Sequence, residues 1–233
     1  GVQTCALPIS AFLVKRGARI AGAGTDMIMI EGVTELHGAD HDVIPDRIEA
    51  GTYLVAGAIT GGEISVKRCR PEHMEPLLVK LRESGVELAE EGDRVHLKVT
   101  GRLKGTNVRT SPHPGFPTDM QAQFVALMAV AEGTSVVTET IFESRFMHVE
   151  ELRRMGAEIR VEGNRVVITG REGLTGAPVM ASDLRASAGL IVAGLAAEGI
   201  TEVSRVYHLD RGYERLEDKL KALGASIERR KGK

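Results

Sequence analysis

The 233-residue chain contains no tryptophan, and its aromatic residues together make up only 3%. So few rings leave little to build the stacking platforms that hold single-stranded nucleic acid. Cysteine is also scarce. Cys5 and Cys69 cannot make a disulfide framework, which favours a reducing, cytoplasmic setting. No apolar run approaches the roughly 18 residues of a membrane span. Neither sign of charge dominates, since 30 Lys and Arg face 32 Asp and Glu for a formal net charge of −2. That balance excludes a generally basic protein that coats nucleic acid. The seven histidines show no metal-ligand spacing with cysteines or carboxylates, so no metal is expected. Gly22-Ala-Gly24 and Gly61-Gly62 make no dinucleotide fingerprint and read as turns.

What is present is a 42% apolar content, enough for a real core, with 27 glycines that favour close packing of small residues. The first residues stand apart. Gly1 to Ile9 lacks the basic start and continuous apolar stretch of a signal peptide. Ala6-Leu7-Pro8-Ile9 is what GCT CTT CCG ATC encodes, the end of a common sequencing adapter. Residues 1–10 therefore read as translated adapter joined to a truncated frame, which would leave Cys5 without functional meaning. A natural N-terminal strand is the alternative.

The rest of the chain repeats. Gly-Ala-Arg-Ile begins at Gly17, Gly-Val-Glu-Leu at Gly85, Gly-Ala-Glu-Ile at Gly156 and Gly-Ala-Ser-Ile at Gly224, with spacings of 68, 71 and 68 residues. After the first three comes a polar turn and an alternating run: Asp26 to Gly32, Asp93 to Gly101 and Asn164 to Gly170. Val95, Leu97 and Val99 alternate with polar neighbours, the period-two pattern of a half-buried strand. Before the signatures lie charged amphipathic stretches, such as Glu150 to Met155 and Tyr213 to Leu223, which predict surface helices capped by the glycine.

A second kind of helix opens each unit at Asp46, Asp119 and Asp183, where an aspartate is favoured as a cap. The segments that follow are apolar on every side, so 46–60, 119–132 and 183–198 should be three roughly parallel, buried helices. Each is read as ending at a glycine (Gly62, Gly133, Gly199) before a β-branched strand. The order is strand, buried helix, strand, surface helix, hairpin. It recurs three times from about His41 to Lys233, with the last copy clipped. The fold class is α/β (α+β): an inside-out α/β barrel of βαβαββ units with its helices inside.

Asn107-Val-Arg-Thr, Pro117-Thr-Asp-Met-Gln-Ala-Gln, Arg145-Phe-Met-His, Asp183-Leu-Arg-Ala-Ser-Ala and Asp210-Arg-Gly-Tyr-Glu closely resemble the UDP-N-acetylglucosamine enolpyruvyl transferases. The resemblance runs from about Ala11 to Lys233. It implies two domains of three such units with the active site between them. Residues 11–45 would be the last strip of the first domain and the crossover, and 46–233 the second domain. It also implies the chemistry: enolpyruvate passes from phosphoenolpyruvate to the 3′-hydroxyl of UDP-N-acetylglucosamine by addition, then elimination of phosphate, without metal or organic cofactor. The family's cysteine general acid, and a lysine and an arginine that hold phosphoenolpyruvate, lie in an N-terminal half that would be this chain's partner. Cys69, in Lys67-Arg-Cys-Arg-Pro71, lies outside that context and does not take the role.

The same resemblance implies roles for single residues. Asp119 matches the aspartate that contacts the sugar hydroxyl and takes its proton. Arg211 is expected on phosphoenolpyruvate, Arg185 in ordering the closed cleft, and Arg47 on the sugar nucleotide or the interdomain seam. Asp183 would lie near the leaving phosphate while also capping its helix. Ile141 would meet the sugar nucleotide through its backbone, and by side chain alone reads as strand core. Arg145 is a further substrate-binding candidate. His113, in a proline-fixed approach loop, has a hydrogen-bonding or a purely structural role. The physical case for the arginines is that helix N-termini and planar guanidinium forks suit anionic substrates. The alternatives are the shikimate-pathway enolpyruvyl transferase and a repeat scaffold without catalysis. RNA-end processing on a related fold lacks a nucleotidylated-histidine motif.

Overall fold

The computed structural model describes residues 2–23, 25, 27–143 and 145–230, with side chains from Pro8 onward. The readings on Gly24 and Asp26, and on the side chains of residues 1–7, lie outside the described residues. The chain opens with α1 (Val2–Lys15) and a small antiparallel pair, β1 (Arg19–Ala21) and β2 (Met29–Glu31). An exposed stretch then leads to the repeats.

The first repeat contains α2 (Arg47–Ile59), β3 (Glu63–Lys67), α3 (Glu75–Glu83), β4 (Glu87–Glu91) and β5 (Arg94–Lys98). The second contains β6 (Val108–Arg109), α4 (Gln121–Met128), β7 (Thr134–Thr138), α5 (Met147–Arg154), β8 (Glu158–Glu162) and β9 (Arg165–Thr169). The third follows the short β10 (Leu174–Thr175) and has β11 (Pro178–Met180), α6 (Leu184–Leu195), β12 (Ala197–Glu198), β13 (Glu202–Ser204) and α7 (Leu216–Ala222). The second sheet is complete, in the order β6-β7-β9-β8, with β6 parallel to β7 and the hairpin antiparallel. The first is β3-β5-β4. No strand precedes α2 where one was expected near His41 among the described residues; Pro45 removes an N–H that such a strand would use. The third unit keeps its parallel pair β11-β13 and, among the described residues, has no hairpin.

The repeated glycines mark one local structure made four times. Gly17, Gly85, Gly156 and Gly224 have φ of 98°, 91°, 86° and 99°, a region that side chains rarely enter. In each copy the next N–H reaches back across the glycine: Ala18 to Leu13, Val86 to Leu81, Ala157 to Leu152 and Ala225 to Leu220, all at 3.0 Å. This is the Schellman closure of a helix end, and it turns the chain into the following strand or extended segment.

The three predicted helices form the core. All eight residues of α4 are buried, as is the middle of α2 and of α6. Small residues let them touch: a Cβ on Gly189 of α6 would sit 3.0 Å from Ala122 of α4. The sheets lie outside, with Val95, Leu97, Val166 and Ile168 directed inward at 0% exposure. Three boundaries differ from expectation. The left-handed residue after α2 is Gly61 (φ 65°), not Gly62, whose N–H closes onto Gly57 O instead. The middle helix begins as a 3-10 turn, Thr118–Met120, and its α-helical part ends at Met128. The helix from 184 stops at Leu195 because Ala197–Glu198 pairs with β10.

Candidate active site

The N-termini of the three buried helices do not behave alike. Asp46 caps α2, accepting from Ile48 N at 2.7 Å and Glu49 N at 3.2 Å. Asp183 caps α6, accepting from Arg185 N at 2.8 Å and Ala186 N at 3.0 Å, and its second oxygen accepts from Ser182 Oγ at 3.0 Å. Asp119 caps nothing. It sits inside the 3-10 turn whose cap position is Pro117, and its carboxylate turns to two guanidiniums instead. The capping role expected of it is therefore corrected.

Arg145 Nη2 meets Asp119 Oδ1 at 2.9 Å and Arg185 Nη2 meets Asp119 Oδ2 at 2.9 Å. The carboxylate is more than a third exposed at 37%, against 22% and 14% for the arginines. Burial raises the carboxyl's pKa, but Arg185 and Arg145 together outweigh it and hold Asp119 below the usual carboxylate range. Asp183 is also held low, where cap N–H groups and Ser182 overcome burial. Both are thus acceptors, not acids, at neutral pH. The trio carries a net charge of +1, and one guanidinium nitrogen, Arg185 Nη1, is buried without a hydrogen-bond partner among the described residues.

Beneath Arg185 lies a polar floor inside an apolar core. The Tyr213 ring is 5.9 Å from its guanidinium carbon, and the Tyr213 hydroxyl is 2.8 Å from Thr52 Oγ1. Gln123 Nε2 donates to both, at 3.1 Å to Thr52 and 3.3 Å to Tyr213. Thr52, Gln123 and Arg185 come from α2, α4 and α6, so each repeat contributes one residue. On the other side, Arg145 Nη1 donates to Thr118 Oγ1 at 2.7 Å, which donates to Glu139 Oε2 at 2.8 Å.

The remaining expected residues divide. Arg211 ends a 3-10 turn, Val206–Arg211, is exposed, and makes no ion pair with the described residues. Its neighbour Gly212 packs closely on the start of α6, where a Cβ would meet Leu184 at 3.0 Å and Arg185 Nη1 at 3.7 Å. The residue after Arg211 is thus packed against the start of α6. Ile141 is no strand residue. It follows β7, half-buried, and its N–H is already given to Glu139 Oε1 at 2.8 Å. Arg47 and His113 are neighbours of each other. Burial first, then the charge of Arg47 and of His73, holds the His113 imidazole below its ordinary pKa. His113 also lines an 840 Å³ groove with Glu72, Lys80 and Arg109. Cys69 is buried against the backbone oxygens of Val66 and Asp93, and burial pushes its thiol up, away from reactivity.

Sequence reasoning did not single out Thr52, Thr118, Gln123, Glu139 or Tyr213. The signal for Gln123 was present: an amide in the middle of an otherwise apolar helix must find partners inside the core.

Comparisons with known proteins show the family and the fold. The family model described as EPSP synthase (3-phosphoshikimate 1-carboxyvinyltransferase) matches residues 9–220. The chain is 61% identical over 223 residues to the UDP-N-acetylglucosamine 1-carboxyvinyltransferase of Myxococcus xanthus, covering 96% of this chain and 53% of that protein. It is 58% identical over 224 residues to the Desulfovibrio desulfuricans protein of the same name, covering 96% and 54%. The chain thus spans about half the length of the curated relatives it matches. Among solved structures, the enolpyruvyl transferase NikO from Streptomyces tendae superposes with a TM-score of 0.84 at 29% identity, covering 95% of this chain and 53% of that one. An EPSP synthase from Acinetobacter baumannii shares the fold at 21% identity and a TM-score of 0.62, over 79% of this chain and 44% of that one. No helix among the described residues is long and apolar enough to cross a membrane. Repeats, buried helices and site motifs all lead to one assignment: the chain belongs to the EPSP synthase family of enolpyruvyl (1-carboxyvinyl) transferases.

Proposed function

We propose that this chain supplies the C-terminal half of the cleft of a UDP-N-acetylglucosamine 1-carboxyvinyltransferase. In that reading residues 46–233 are the second domain, and 11–45 the last strip of the first domain with its crossover. The reaction joins phosphoenolpyruvate to the sugar 3′-hydroxyl, releases phosphate, and serves peptidoglycan synthesis in the cytoplasm. The names of the curated relatives at 61% and 58% identity support this substrate over shikimate 3-phosphate, since the solved EPSP synthase is only 21% identical.

The observation that carries the mechanism is the carboxylate of Asp119, released from capping and gripped by Arg145 and Arg185 at 2.9 Å each. Each oxygen accepts one N–H and keeps a lone pair. A sugar hydroxyl is a poor nucleophile until its proton is accepted as the new C–O bond forms. With its pKa held low, Asp119 cannot deprotonate the alcohol beforehand. It receives the proton in concert with bond formation, or after bond making has acidified it. Arg211 grips phosphoenolpyruvate, and the net positive trio stabilises the phosphate as it leaves, with Asp183 nearby fixing the start of α6. Arg47 and His113 serve the sugar nucleotide or the seam between halves, and the Ile141 backbone meets the sugar nucleotide. The proton donated to the enolpyruvyl carbon comes from the other half.

The test is calorimetric titration of a two-domain protein carrying this half with UDP-N-acetylglucosamine and, separately, shikimate 3-phosphate, alongside phosphate release with phosphoenolpyruvate. Binding and turnover with the sugar nucleotide support the reading. Turnover with the shikimate compound alone overturns it.

A further inference from the structure

We infer that Glu139 is a positioning residue for this reaction: a buried anion that sets the direction of the Arg145 guanidinium and, through it, the place of Asp119. The inference rests on the reading of Asp119 as proton acceptor.

Glu139 directly follows β7 and is 1% exposed, yet it forms no ion pair among the described residues. A buried carboxylate is costly unless its oxygens are hydrogen-bonded. Here neutral donors converge on it. Oε1 accepts from Thr110 Oγ1 at 2.7 Å, Ile141 N at 2.8 Å and Phe142 N at 3.3 Å, and Oε2 accepts from Thr118 Oγ1 at 2.8 Å. Its own backbone is pinned to the turn of the β8-β9 hairpin, with Glu139 N donating to Asn164 O at 2.8 Å and Asn164 Nδ2 donating to Glu139 O at 3.1 Å.

A carboxylate only accepts, and this fixes the sense of the chain. Thr118 must spend its single proton on Glu139, so towards Arg145 its oxygen can only accept, as it does from Nη1 at 2.7 Å. With Nη1 thus held, Nη2 of the planar guanidinium is aimed at Asp119 Oδ1. The guanidinium also lies over the Phe142 ring, its central carbon 4.9 Å from the centroid, and Phe142 is itself tied to Glu139 through its N–H. One buried anion therefore orders the start of the middle helix, the 140–142 turn and the arginine between them.

Glu139→Gln tests the idea in the two-domain protein. The amide keeps the shape but offers a donor where Oε2 accepted, so Thr118 Oγ1 would face two donors and Arg145 would be redirected. The expected result is a kcat lower by roughly 10- to 100-fold, with little change in KM for UDP-N-acetylglucosamine. Thr118→Val is the second variant. It breaks the same chain without touching the buried charge, and it should reproduce most of that loss. The double variant should be no worse than the poorer single one, because both act through Arg145. A melting temperature lowered by Glu139→Gln with kcat per folded enzyme unchanged, or an unchanged kcat in Thr118→Val, overturns the proposal. Asp119→Asn run alongside separates the two ideas. If it removes turnover while both relay variants remain active, the positioning role alone falls. If it leaves turnover intact, the acceptor reading fails and the proposal falls with it.

Discussion

Replacing Asp119 by Asn removes one negative charge and one proton acceptor while leaving the side-chain shape. The geometry makes three consequences separable. The first is catalytic. Loss of a positioned general base typically costs about 10²–10⁴ in rate, equivalent to roughly 3–5 kcal/mol of transition-state stabilisation. The second concerns binding. The carboxylate offsets one of the two positive charges that touch it at 2.9 Å, so its removal raises the positive potential felt by an anionic substrate. KM for phosphoenolpyruvate should stay level or fall while kcat falls. The third is stability. The two charge-assisted bonds would each be worth about 1.5–3 kcal/mol if buried, but a carboxylate 37% exposed is screened and retains only part of that. A modest drop in melting temperature is expected.

The assay is steady-state phosphate release by the two-domain protein, with binding of UDP-N-acetylglucosamine followed separately. Asp46→Asn is the matched control. Its parent caps a helix through two N–H groups, and Asn caps about as well, so both turnover and stability should be nearly unchanged. If Asp119→Asn acts mainly by raising KM with kcat intact, or costs no more activity than Asp46→Asn, Asp119 is a structural counter-ion and the acceptor argument fails.

Three further outcomes follow from the same structure. The 233-residue chain alone should release no phosphate from phosphoenolpyruvate above background, because a half-cleft lacks the proton donor; enzyme-dependent release would refute the two-half reading. Leu127→Ala, at 0% exposure in the middle helix, should destabilise by about 2–5 kcal/mol, and an unchanged melting temperature would contradict the buried-helix core. His148 is buried with Nε2 unpartnered among the described residues, and burial, aided by Arg145 and opposed by Asp183, pushes it down to about 4. The unfolded chain therefore binds more protons between about pH 4 and 6.5, so stability is complete above that window and falls by roughly 3 kcal/mol as pH drops through it. His148→Leu should flatten melting temperature against pH over the same range; an unaltered slope would exclude this histidine as its source.

Much of the fold could be read from sequence because its signals are local and repeated. A glycine with left-handed φ can be recognised from the helix before it and the strand after it, and four copies at near-constant spacing removed the ambiguity of any one. The buried helices were legible for a similar reason: Phe124 to Met128 is apolar all round, and only a core accommodates that. The site was legible only where motifs carried it. Asp119, Arg145 and Arg185 stand 26 and 40 residues apart in sequence, and nothing local says that both arginines turn to one carboxylate. Nothing local singled out Glu139, since its partners Thr110, Thr118 and Asn164 lie on other segments. The register of short strands escaped as well. β10 and β12 each have two residues, and their pairing depends on tertiary contact more than on any pattern.

The three aspartates show where repetition stops being a guide. Asp46 directly follows Pro45, and Asp183 follows Ser182; both sit in extended backbone just before their helix and point at its free N–H groups. In the middle unit the proline stands one residue further back, at Pro117, and Thr118 lies between it and the aspartate. Pro117 then takes the cap position itself, with Met120 N closing onto its carbonyl at 2.9 Å, and Asp119 falls within the first turn. From there its carboxylate no longer meets the helix N–H groups and is free to reach Arg145 and Arg185. The interposed Thr118 carries the hydroxyl that links Arg145 to Glu139. A single residue between proline and aspartate thus separates a helix cap from a carboxylate turned to two arginines, and it brings the hydroxyl bonded to one of them. The two flanking units keep the simpler arrangement, which holds the helices that the middle one packs against.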